Sequence, residues 1–82
     1  MREITVTVKF DSGLHARPVV QLIKTVSQFQ AKIALTKEGN SVPADSITAI
    51  LSACIIHGDE ITVTAEGPDE VEAIEAMREF FS

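Results

Sequence analysis

Two segments of this chain alternate an aliphatic residue with a threonine: Ile4-Thr5-Val6-Thr7-Val8 near the start and Ile61-Thr62-Val63-Thr64-Ala65 near the end. A period of two places the aliphatic side chains on one face of a strand and the threonines on the other. A sheet built from such strands has one apolar face to cover and one face that water can wet. Every helix in the chain must then pack on the same side.

The rest of the chain supplies those helices and two more strands. The first strand runs through Phe10, and Asp11-Ser12-Gly13 breaks it. Val19, Leu22, Ile23 and Val26 then recur at i, i+3, i+4 and i+7, the stripe of an amphipathic helix. Pro18 is tolerated in a first turn, where backbone donors lack intrahelical partners, so the helix starts at or just before Ala16 with His15 at its N-terminal edge. Residues 31–36 and 41–44 flank Lys37-Glu38-Gly39-Asn40, where Gly39-Asn40 is expected to supply the positive φ of a tight hairpin, with Pro43 on an edge. Ser46 can cap a short helix from Ile47 to Cys54, which Gly58 ends. After the fourth strand, Gly67-Pro68 opens a last helix with Asp69 and Glu70 in its first turn and Ala73, Ile74, Met77, Phe80 and Phe81 on its buried face. The expected fold is α+β, an open-faced β-sandwich of β-α-β-β-α-β-α order: a four-stranded antiparallel sheet with three helices on one face. Residues 1–82 form a single domain.

Composition narrows the function. A chain of 82 residues buries only roughly 60–65% of its unfolded surface, which leaves no room for an enclosed cofactor cavity, and no cofactor is expected. Twelve acidic against seven basic residues give a net charge of −5, so a nucleic-acid backbone would be repelled over most of the surface. The longest apolar run, Ala53-Cys54-Ile55-Ile56, is far short of the roughly 20 residues of a membrane span. A single cysteine makes no internal disulfide, which fits a reducing cytoplasm.

Chemistry concentrates in Ser12-Gly13-Leu14-His15-Ala16-Arg17-Pro18. An imidazole, a guanidinium and the free amides of a helix N-terminus fall within one turn. Unpaired N–H groups and the positive end of the helix dipole bind phosphate, and Arg17 matches phosphate oxygens bidentately. The same field disfavours imidazolium, so His15 is expected to be neutral near pH 7 and available as a nucleophile. Read from spacing alone, His15 is either a phosphoacceptor in an anion site or a plain polar residue at a helix edge, with Arg17 a solvated charge.

Gly13-Leu14-His15-Ala16-Arg17-Pro18 resembles the active-site motif of the HPr family, the histidine-containing phosphocarriers of the bacterial phosphoenolpyruvate-dependent sugar phosphotransferase system. The resemblance continues through Phe29 at the close of the first helix, Ser46-Ile47 at the opening of the second, and Gly58-Asp59-Glu60-Ile61-Thr62-Val63 leading into the last strand. It implies the same open-faced sandwich and a stoichiometric carrier rather than an enzyme. His15 would take a phosphoryl group on its pros nitrogen from phosphorylated enzyme I and hand it to IIA domains of sugar permeases, with Arg17 stabilising the phosphate. A regulatory relative of the nitrogen-related branch, whose phosphorylation state is sensed by partners, would carry the same motif. A small phosphohydrolase lacks a second acid or base in the motif.

The resemblance also implies that Ile47, Thr48 and Leu51 surround the active histidine and dock on enzyme I and IIA domains. Val20 lies off the first helix's stripe, which points to exposure beside His15. On spacing alone Ile47, Ile50, Leu51 and Cys54 share one stripe and read as core. Ser46 matches the position that a dedicated HPr kinase/phosphorylase modifies in many relatives. Here Asp45, Thr48 and Ala49 depart from the usual context, and an ordinary helix cap explains the serine equally well. Cys54 and His57 make only half of a zinc-site spacing, so no metal is expected and Cys54 reads as a small buried thiol. The acidic residues of the last helix, Asp69, Glu70, Glu72, Glu75 and Glu79, read as a solvated face.

Overall fold

A computed structural model describes residues 1–9 and 16–81, with Ala16 and Arg17 described by backbone alone. Its elements are β1 (Arg2–Thr7), α1 (Ala16–Val26), β2 (Lys32–Lys37), β3 (Asn40–Pro43), α2 (Ile47–Ser52), β4 (Glu60–Glu66) and α3 (Glu70–Phe80). The four strands form one antiparallel sheet in the order β1-β4-β2-β3, with three helices as the second layer.

The strand register explains the aliphatic-threonine alternation. Thr5 pairs with Thr62, Thr62 with Thr36, and Thr36 with Ser41, so one hydroxyl row crosses all four strands. The opposite face carries Leu35, Ile61, Val63 and Ala65, all buried. Helix α1 lays Val19, Leu22 and Val26 on that face, α2 adds Ile50, and α3 adds Ala73, Ile74 and Met77. Val8, expected inside the first strand, lies just past it and is fully buried, and its N–H and C=O pair with Asp59 O and Gly58 N at 2.8 Å each. Phe10 lies outside the described residues.

Three local expectations are corrected. The hairpin loop is Glu38-Gly39, at φ 51° and 84°, because Lys37 pairs with Asn40. A two-residue loop whose central residues both have positive φ matches the twist of the strands it joins, so Asn40 belongs to β3. Helix α2 stops at Ser52, short of Cys54, which adopts a left-handed φ of 53°. That turn carries Cys54 off the helical stripe, so it is exposed while Ile55 is buried. Asp69, expected in the first turn of the last helix, sits at the N-cap position, and its side chain makes no capping bond. Its two oxygens instead accept the backbone amides of Gln30 and Ala31, at 2.9 and 2.8 Å. Close approach follows at Gly67, where a β-carbon would stand 2.6 Å from Ala31 Cα. These contacts join the α1–β2 connection to the start of α3.

Candidate functional site

Helix α1 begins at Ala16, where the placement of Pro18 in the first turn requires it to begin. His15 itself lies outside the described residues, as does the Arg17 side chain, so the anion site expected there is not described by the structure. The helical backbone from Ala16 onward is described, and on it Val19 is fully buried while its neighbour Val20 is 42% exposed. The one-residue rotation off the apolar stripe is the cause.

Helix α2 packs against α1 and divides its aliphatic residues in the same way. Ile50 is fully buried and anchors the helix, whereas Ile47 and Leu51 are 47% and 42% exposed, and Thr48 is exposed. The spacing that reads as a continuous core stripe is thus split: of Ile47, Ile50, Leu51 and Cys54, only Ile50 is buried. A six-residue helix has too few internal bonds to hold itself, so its ends and its one buried anchor set its orientation. At the N-terminal end Ser46 Oγ accepts the Ala49 amide at 3.2 Å, in extended backbone geometry typical of a cap. The cap role of Ser46 is therefore present in the structure.

At the other end of α2 lies a cluster that the sequence did not single out. Lys37 Nζ donates to the Cys54 carbonyl at 2.7 Å and pairs with Asp59 Oδ2 at 2.7 Å, and the same carboxylate oxygen accepts the Ile56 amide at 2.8 Å. The Ile56 amide, then the Lys37 ammonium, hold the Asp59 carboxyl below its ordinary range. The hydrogen bond to Asp59 raises Lys37 in turn. No local motif could have revealed this pairing, because its members stand far apart in the chain and meet only when β2, α2 and the approach to β4 converge. A second carboxylate, Glu70, accepts the Gly67 amide at 3.2 Å and the N-terminal ammonium at 3.1 Å, and both hold it below its ordinary range.

Among the described residues, no group of three or more His, Cys, Asp or Glu side chains converges as a metal site, and no helix is long and apolar enough to cross a membrane.

Comparison with known proteins agrees with this arrangement. The family model described as "PTS HPr component phosphorylation site" matches residues 2–82. The chain is 40% identical over 80 residues to the HPr-like protein Crh of Halalkalibacterium halodurans, covering 98% of this chain and 95% of that one. It is 36% identical over 77 residues to the phosphocarrier protein HPr of Vibrio cholerae, covering 94% and 91%. The crystal structure of HPr-C-His from Thermoanaerobacter tengcongensis superposes with a TM-score of 0.95 at 38% identity, covering 99% of this chain and 91% of that one. Matched over nearly its whole length in both sequence and fold, the chain belongs to the HPr family of phosphocarriers, carrier proteins that are not themselves catalysts.

Proposed function

We propose that this chain carries phosphoryl groups in a sugar phosphotransferase relay in the bacterial cytoplasm, taking them from phospho-enzyme I on His15 and delivering them to IIA domains. The observation that carries this reading is the pair of packed helices α1 and α2, on which Val20, Ile47 and Leu51 are left exposed. Aliphatic side chains left in water on a packed helical surface are what brief, repeated docking requires. In the step itself, a lone pair on the neutral His15 ring attacks phosphorus as the bond to the donor's leaving nitrogen breaks, and Arg17 balances the charge on the phosphoryl oxygens. A carrier must hold the group only modestly, or it would not pass on.

A second reading is supported by the similarity to an HPr-like protein Crh. On it, the phosphorylation state of the chain is sensed by partner proteins, as in regulatory HPr-like proteins, with Ser46 as a further target of an HPr kinase/phosphorylase. Incubation with labelled phosphoenolpyruvate, enzyme I and a panel of IIA domains separates the two. Acid-labile label on His15 that moves on to a sugar IIA domain supports the relay. Label that stays on the chain supports the regulatory reading, and steady release of free phosphate would contradict both.

A further inference from the structure

We propose that Lys37 and Asp59 are positioning residues for phosphoryl acceptance, holding the docking helix α2 in register with the exit of β1. The inference rests on the relay reading above and adds to it residues outside the motif. One ammonium joins three parts of the chain: the end of β2 that bears it, the Cys54 carbonyl just beyond α2, and the Asp59 carboxylate before β4. Asp59 extends the connection. Its side chain takes the Ile56 amide, its carbonyl takes the Val8 amide, and Gly58 N–H returns to the Val8 carbonyl. Val8 stands at the exit of β1, on the way to the segment that contains His15.

The pair is also shielded: the two side chains are 18% and 21% exposed, so it is screened by salt less than an open surface pair. Cys54 holds a left-handed backbone without being glycine, and the Lys37 bond to its carbonyl helps keep that turn. Helix α2 is too short to keep its own orientation. Its exposed Ile47 and Leu51 therefore stand where the Ser46 cap, the buried Ile50 and the Lys37 anchor put them. Without the ammonium, the anchor beyond the C-terminal end of α2 is lost, and the Asp59 carboxylate that ties the turn to the β1 exit keeps only its bond from the Ile56 amide. Displaced docking side chains make poorer contact with enzyme I, a loss of binding that is read in KM rather than kcat.

The test measures enzyme I-dependent phosphorylation of the full chain across a range of chain concentrations, well below every variant's melting temperature. Lys37→Met keeps the aliphatic stem and removes the charge. It is expected to raise KM for the chain about tenfold with kcat within about twofold of wild type. Lys37→Arg, which keeps a cation and several donors at the end of a long side chain, is expected to restore most of the affinity. Amide exchange supplies a readout independent of enzyme I: protection at Val8, Gly58 and the α2 amides should fall in Lys37→Met while that of α3 is retained. Should the Met variant melt too low, Lys37→Gln, which keeps a donor, carries the same comparison. An unchanged KM in a less stable Lys37→Met would reduce the pair to a structural role and overturn the proposal. So would an Arg variant no better than Met. A wild-type chain that enzyme I does not label, beside α2 protection that still depends on Lys37, would instead overturn the relay reading and leave the anchor as a structural device.

Discussion

The carboxylate of Asp69 accepts the backbone amide of Ala31 at 2.8 Å, across 38 residues of chain. The amide is part-buried, so it has little water to turn to if the carboxylate is removed. This bond and the neighbouring one to Gln30 lock the α1–β2 connection against the start of α3. Asp69→Ala is expected to destabilise the fold by roughly 1–3 kcal/mol, the range for stranding a buried donor. At Gly67, two residues earlier, an added β-carbon would stand 2.6 Å from Ala31 Cα, and backbone cannot yield as a flexible side chain does. Gly67→Ala should therefore cost about 1–3 kcal/mol as well. Urea unfolding of both variants checks this, and a wild-type midpoint for either would show that the junction does not bear on stability.

The split along α2 predicts a split in behaviour. Ile50→Ala removes a fully buried side chain and should lower stability by about 2–5 kcal/mol. Leu51 is 42% exposed, so Leu51→Ala should lose clearly less stability and instead weaken binding to enzyme I. Thermal melts paired with titration calorimetry read both effects. A Leu51 variant that melts like the Ile50 variant and binds normally would place Leu51 in the core.

Arg17 is expected to act through the shape of its guanidinium as well as its charge. Arg17→Lys should slow phosphoryl transfer to His15 at unchanged thermal stability, because a point charge cannot grip two phosphate oxygens at once. Stopped-flow quenching of the enzyme I reaction gives the rate. Wild-type speed in the lysine variant would leave charge alone as the contribution of Arg17.

Acid stability should depend on Asp59 and Glu70. Both carboxyls are held below their ordinary values in the folded chain. A depressed pKa means the unfolded chain binds protons first, so their stabilisation is complete above the ordinary carboxylate range and is lost as pH falls from there through the lowered folded values. The raised Lys37 works in the opposite sense: its stabilisation is complete below the ordinary lysine range and fades as pH climbs past its folded value. Asp59→Asn should therefore flatten part of the acid limb of a plot of unfolding free energy against pH. An acid limb of wild-type steepness in that variant would exclude Asp59 as a contributor.

At Ser46 the hydroxyl caps α2. Ser46→Asp keeps an acceptor for the Ala49 amide, so the fold should be retained, while its charge opposes approach of a phosphorylated partner. His15 phosphorylation is expected to slow at low ionic strength and to recover partly with salt as screening weakens the repulsion. Equal rates for wild type and variant at low salt would leave Ser46 as a cap alone.

Much of this protein is decided within short stretches of sequence. The aliphatic-threonine alternation of β1 and β4 fixes a sheet with one wet face, because neighbouring side chains on a strand must point to opposite sides. Pro18 sets where α1 starts, since its ring is compatible only with a first turn. The Gly13-to-Pro18 motif carries the family resemblance for a similar reason: it is one contiguous run, read without any folded structure. Tertiary structure decides what depends on residues brought from afar. A single turn of backbone at Cys54 moves its thiol into water and gives the buried place to Ile55, which the periodicity of α2 could not reveal. Asp69 has the position and chemistry of a helix cap, yet its carboxylate serves Gln30 and Ala31, because the folded chain brings two amides closer than its own helix does. In sequence Lys37 lies in the hairpin connection and Asp59 in the approach to the last strand, 22 residues apart. Only the convergence of β2, α2 and the approach to β4 makes them one ion pair, since a charge finds its partner through space and not along the chain.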